Sequence, residues 1–138
     1  MPRKDVYHEA VKQALIKDGW TITHDPYTLD FGFTDAFVDL GAEKLLAAQK
    51  DKEKIAVEIK SFVGSSNLYE FHTALGQFIN YDFALKIEEP ERILFLAVPI
   101  ETYNTFFQYA LIAKLVEANK LKMIVYNPES EEIEQWIK

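Results

Sequence analysis

Residues Ile55 to Lys60 read Ile-Ala-Val-Glu-Ile-Lys, an apolar run with a carboxylate and an ammonium two positions apart. Side chains alternate along a strand, so Ile55, Val57 and Ile59 share one face while Ala56, Glu58 and Lys60 share the other. The first face demands a packed layer. A strand covered on both sides would normally read as continuously hydrophobic, and charge buried without partners is costly. The run therefore commits the chain to a sheet with a charged locus on its second face, and a function is to be sought there.

At 138 residues the chain is expected to form one domain with a single sizeable core. An apolar fraction of 49% and an aromatic fraction of 14% are those of a folded globular protein. With no cysteine there is no disulfide, thiolate nucleophile or cysteine-ligated zinc, which is compatible with a cytoplasmic location. The opening Met-Pro-Arg-Lys-Asp lacks the apolar run of a signal peptide, and no uninterrupted apolar stretch has the length of a membrane span. The formal charge of −7 argues against non-specific nucleic-acid affinity. Seven acids, however, fall in two clusters, Glu88, Glu89 and Glu91, then Glu129, Glu131, Glu132 and Glu134, and without them 15 acids balance 15 bases. A locally positive surface is thus permitted, and the clusters read as solvated loop or tail.

Periodicity predicts a first helix from Asp5 to about Lys17, stopped by Asp18-Gly19. Strands are expected at Trp20–Thr23 and Phe33–Leu40, with a turn at His24-Asp25-Pro26. Glu43–Gln49 reads as the first arm of a hairpin that turns at Lys50–Glu53 into a strand over Lys54–Phe62. Gly64–Asn67 is a loop ending in a helix cap. The helix that follows runs to about Lys86, with Leu68, Phe71, Leu75, Phe78 and Ile79 as its core stripe. Ile93–Val98 is a buried strand, Tyr103–Ala118 a helix, and Lys122–Tyr126 a last short strand. Ile133, Trp136 and Ile137 close the chain at helical spacing. Tyr103, Phe106, Phe107 and Tyr109 are aromatics for packing. The order suits a mixed central sheet flanked by helices, an α/β or α+β sandwich.

An upstream acid followed by Glu-x-Lys on a strand is suited to metal-assisted phosphodiester hydrolysis. Two carboxylates can hold Mg²⁺ or Mn²⁺, because hard divalent cations prefer oxygen ligands in partly hydrated sites. A lysine then positions the nucleophile or stabilises developing charge. Asp39 is one candidate for the second acid. A hairpin centred in Lys50–Glu53 would instead place a residue near Leu45 opposite Glu58 and bring Glu43 to the site, so both acids stay open. Gln77 and Tyr81, four apart on a helix, share a face. His8, His24 and His72 have no metal-ligand spacing. No phosphate-cradling glycine loop or nucleophile elbow is present.

Taken together, Asp39-Leu-Gly-Ala-Glu43, Ile55-Ala-Val-Glu58-Ile-Lys60-Ser-Phe62, Ala74-Leu-Gly-Gln77-Phe-Ile-Asn-Tyr81 and Leu96-Ala-Val-Pro99 resemble the XisH family, the fdxN element excision controlling factors of cyanobacteria, over nearly the whole chain. The resemblance implies a restriction-endonuclease-like fold of the PD-(D/E)xK superfamily and a role in programmed DNA excision. It places Asp39, Glu58 and Lys60 on the acid, acid and lysine of the superfamily motif, with Val38 where the superfamily has proline. Gln77 and Tyr81 resemble the Gln-x-x-x-Tyr element of RecB-like nucleases. Glu9 stands where a first-helix glutamate joins such sites, although its spacing turns it from the apolar face. The resemblance further implies DNA, an XisI-like protein and a site-specific recombinase as partners. The small, aromatic-rich chain is also expected to form a homo-oligomer. Two activities follow from this reading: a Mg²⁺-dependent endonuclease, or a catalytically silent factor whose same face binds DNA or a partner protein.

Overall fold

The structure, a computed structural model, describes residues 5–46 and 52–138. In chain order its elements are α1 (His8–Lys17), β1 (Thr21–His24), β2 (Tyr27–Asp30), β3 (Asp35–Val38), β4 (Leu40–Leu45), β5 (Lys52–Ile59), α2 (Asn67–Glu88), β6 (Arg92–Pro99), α3 (Ile100–Asn104), a 3-10 turn (Phe106–Gln108), α4 (Ala110–Ala118), β7 (Met123–Asn127) and β8 (Glu132–Ile137). Six strands form a mixed sheet in the order β1-β4-β5-β6-β7-β8, and β2 and β3 make a separate antiparallel pair. The β5–β6 and β6–β7 pairs are parallel. The remaining neighbours in the large sheet are antiparallel. The expected mixed sheet with flanking helices is the observed architecture.

Alternation along the central strands decides what lies on each side. Ile55, Val57 and Ile59 join Phe95, Ala97, Ile124 and Tyr126 in a core closed by Val11 and Leu15 of α1 and by Trp20. Ala56, Leu94, Leu96, Val98, Met123 and Val125 pack instead against Phe71, Ala74, Phe78 and Leu85 of α2 and against Phe106, Phe107 and Ile112. Glu58, two residues beyond Ala56, therefore emerges on the α2 side. A capping bond starts α2: the Ser66 side chain accepts from the Tyr69 amide at 3.1 Å, which satisfies one of the first free N–H groups of the helix.

Several expectations are corrected. Phe33–Leu40 is not one strand, because Phe33 lies exposed before β3 and the chain breaks at Asp39 before β4. Tyr27–Asp30, where no element was expected, pairs with β3 and buries Tyr27 and Leu29. The expected helix over Tyr103–Ala118 is broken into α3, the 3-10 turn and α4, so that Phe106 and Phe107 turn inward against Phe62 and Phe71. Ile133, Trp136 and Ile137 belong to a strand and not a helix. Pairing β8 against β7 lets Trp136 pack on Trp20 and Phe95, which outweighs its local spacing.

Leu68 and Ile79 do not belong to the core stripe and are about half exposed. They lie roughly 100° round the helix from the direction set by Phe71, Ala74, Phe78 and Leu85. The hairpin register pairs Leu45 with Lys52 and Leu40 with Val57. Lys52 and Glu53 are thus strand residues, while Lys50, Asp51 and Ala47–Gln49 lie outside the described residues. No helix among the described residues is long and apolar enough to cross a membrane.

Candidate active site

The pairing of Leu40 with Val57 carries Asp39 to the C-terminal end of β5. There the Asp39 carboxylate accepts the Ile59 amide at 2.7 Å, which fixes it beside Glu58. Lys60 follows directly, its backbone N–H still bonded to Ala97 O at 3.0 Å, so it keeps the strand's alternation and lies on the same face as Glu58. Lys60 Nζ stands 3.8 Å from Glu58 Oε2. From the facing helix, Gln77 and Tyr81 complete a cleft of about 460 Å³, together with Asp5, Asp35 and Phe37.

Glu58 is 6% exposed. Its Oε1 and the Oε1 of Gln77 are both buried without a hydrogen-bond partner. Burial, and then the negative charge of Asp39, push the Glu58 carboxyl up to about 8, with Lys60 offsetting part of the rise. Asp39 is raised by burial as well, and by Asp5, although the Ile59 amide favours its ionised form. Tyr81 is raised by burial and then by the field of Glu58 and Asp39. Two carboxyls this close resist being ionised together, so at neutral pH the pair retains a proton.

Glu43 is carried elsewhere by the register. It pairs with Lys54, four residues from Glu58, which along a strand is about 13 Å. There it makes ion pairs with Lys52 at 3.4 Å and Arg92 at 3.5 Å. Glu9 lies on the exposed side of α1 and accepts a bond from Gln13 at 3.1 Å. The acid that reaches the cleft from the N-terminal side is Asp5, which periodicity marked only as the start of a helix. Its carboxylate accepts the amides of Tyr7 at 2.8 Å and Ser61 at 3.1 Å, tying the approach to α1 to the chain just beyond Lys60. Asp35 also lines the cleft, from β3. The available signal was an aspartate at a predicted helix start for Asp5 and one inside a predicted strand for Asp35, neither of which marks a site by itself.

The cleft thus presents, among the described residues, Asp5, Asp35, Asp39 and Glu58 against the single cation Lys60. Among the described residues no group of three or more His, Asp or Glu side chains forms a ready-made metal cage. Two adjacent carboxyls and two orphaned oxygens, all hard donors, nevertheless fit a small divalent cation that keeps much of its water shell, as Mg²⁺ does when held by one or two carboxylates.

A mixed-sheet protein with an acidic cleft at the end of its central strands is the class defined so far. The chain matches the family model described as XisH protein over residues 1–134 and belongs to that family. It is similar to the crystal structure of an XisH family protein from Nostoc punctiforme PCC 73102, with 50% identity and a TM-score of 0.88 over 97% of this chain and 100% of that one. It is similar also to a fdxN element excision controlling factor protein from Anabaena variabilis, with 51% identity and a TM-score of 0.88 over 98% of this chain and 100% of that one. No curated protein matches it.

Proposed function

We propose that this chain is a divalent-metal-dependent DNA endonuclease of the restriction-endonuclease-like PD-(D/E)xK type, acting in the control of programmed DNA excision as the name of its Anabaena variabilis relative describes for that protein. The observation that carries the reading is Glu58, buried with an unpartnered oxygen between Asp39 and Lys60. Buried polar groups are nearly always paired, and a strongly shifted acid in a cleft is a mark of chemistry.

Asp39 and Glu58 would hold Mg²⁺ or Mn²⁺, which when bound polarises a phosphodiester and makes its water more acidic. Asp39 is oriented for this by the Ile59 amide. Lys60 brings a positive charge to the mouth of the cleft, where it orients the attacking water and offsets charge developing on the phosphate. Gln77 directs an amide at the same space, and Tyr81, held protonated by burial and then by its acidic neighbours, donates a hydrogen bond toward the substrate backbone. The acidic cleft repels DNA until a cation is bound, which makes DNA affinity metal-dependent.

The charge of −7 supports a second reading, a catalytically silent factor that works through a protein partner of the XisI type or a site-specific recombinase supplying the basic surface. Nicking of supercoiled DNA in Mg²⁺ separates the two. Cleavage by the parent and none by Lys60→Ala, with both folded by circular dichroism, is the result expected of the nuclease. Equal cleavage by the two proteins removes Lys60 from the chemistry, and no cleavage by either favours the silent factor.

A further inference from the structure

Helix α2 is apolar on both of its sides. Phe71, Ala74, Phe78 and Leu85 face the sheet and are buried. A second side, turned away from the sheet, carries Tyr69, His72, Gly76, Phe83 and Ile87 with Ile79 at its edge, spaced three or four apart with no charged residue among them. Tyr69, Phe83 and Ile87 are 71%, 72% and 74% exposed. A helix that is hydrophobic all round is ordinarily covered all round, and a three-four repeat is the seam of a helix pair.

We propose that this stripe is an interface at which α2 pairs antiparallel with α2 of a second copy of the chain. Three observations select a second copy as the occupant. The stripe is self-complementary: reversed about its centre near Phe78, Tyr69 falls opposite Ile87, His72 opposite Phe83, and Gly76 opposite Ile79, which is the pattern a two-fold interface requires. Gly76 sits at that centre with nothing within 4 Å of where a Cβ would stand, so nothing within the subunit requires a glycine. A mid-helix glycine costs about 1 kcal/mol relative to alanine, and here it opens room for the neighbouring helix to approach. The area also fits. With aromatic side chains burying roughly 150–250 Å² each, the stripe presents on the order of 500 Å², most of the roughly 800 Å² per partner of a standard interface.

Beside the stripe runs a groove of about 690 Å³ between Phe31 and the side chains of Ile79, Phe83 and Ile87, wide enough to take an aromatic ring from the second copy. Gln77 and Tyr81 lie on another side of the same helix, so the pairing relates two clefts by one two-fold axis. One cleft for each strand of a duplex follows only if the proposed nuclease function holds, whereas the pairing stands without it.

Light scattering on the full chain reads the pairing alone. The parent is expected at twice the chain mass of 16.0 kDa. Phe83→Glu is expected at the single-chain mass with its helical spectrum retained, and Leu111→Glu, on the exposed face of α4, at the double mass. A parent that stays at the single mass at tens of micromolar, or a Phe83→Glu protein that keeps the double mass, overturns the proposal. Should Phe83→Glu fail to fold, the double variant His72→Cys/Phe83→Cys decides, in a chain with no other cysteine. The two positions are about 16 Å apart on one helix and cannot bond internally. Under oxidising conditions a covalent dimer supports the antiparallel seam, and its absence contradicts it.

Discussion

Arg92 and Glu58 stand at opposite ends of the ladder between β5 and β6, and both are buried, yet the protein treats their charges in opposite ways. Arg92 is saturated. Its Nε and Nη2 donate to Glu89 at 2.6 and 3.3 Å, and Nη1 donates to Ile55 O at 2.8 Å. Its guanidinium also lies 4.9 Å from the Tyr27 ring centre, and Tyr27 itself donates to Glu89 at 3.0 Å. Glu58 has an ammonium 3.8 Å from one oxygen and no hydrogen-bond donor on the other, with the Asp39 carboxyl beside it. A buried charge kept for architecture is paired at every valence, because leaving it otherwise costs more than the fold can spare. A buried carboxyl left open beside a second carboxyl is the opposite arrangement, and it is the one the proposed cation would use.

The sharpest break in this comparison is Arg92→Ala. It removes the guanidinium from Glu89, which keeps Tyr27 and Lys54, and from the carbonyls of Ala42 and Ile55, and is expected to destabilise the fold by about 3–5 kcal/mol in urea unfolding. A loss below 1 kcal/mol would mean that the cluster is ornamental.

The opposite end should respond to pH. Glu58 is raised in the fold, so its favourable contribution is full below its unfolded value near 4.5 and is lost as pH rises through about 8. The metal-free parent and Glu58→Gln should therefore be nearly equal in stability at pH 4.5. By pH 8 the variant should be ahead by about 2–4 kcal/mol. A constant gap across that range would contradict the assignment.

Glu89 runs the other way, since the Arg92 hydrogen bonds hold its carboxyl below the usual value. Its contribution is present above pH 4.5 and is lost on acidification. Glu89→Gln should cost about 1–3 kcal/mol at pH 7 and progressively less below pH 4.5, as thermal melts across that range would show. The smallest effect belongs to Glu9→Ala, which removes one exposed bond to Gln13 and should shift stability by less than about 0.5 kcal/mol. It should also leave cation binding unchanged in titration, whereas Asp5→Ala should weaken it.

The same contrast explains which parts of the molecule could be read from sequence. The run Ile55–Lys60 announced both of its faces, because alternation is local and each face had a single chemical character. The partner acid was not legible, since choosing Asp39 over Glu43 needed a hairpin register. The charged stretch Lys50–Glu53 looked like the turn, yet Lys52 and Glu53 are paired with Leu45 and Lys44. Asp5 was missed because its role depends on the amide of Ser61, 56 residues away. Ile133, Trp136 and Ile137 kept helical spacing by accident, and the indole of Trp20 decided the matter. Along α2, Leu68 and Ile79 were read as core because the helix has two apolar stripes and the sequence does not say which one meets the sheet.

The central claim is that the Asp39–Glu58 end of the ladder is an incomplete site for a divalent cation. It is tested most directly by calorimetric titration of Mg²⁺ or Mn²⁺ into the parent and Glu58→Gln at pH 8, where the raised Glu58 carboxyl gives up its proton to a cation more readily than at neutral pH. Saturable binding by the parent, with proton release, and its disappearance in the variant is the predicted result. No heat from either protein, or equal binding by both, would contradict it.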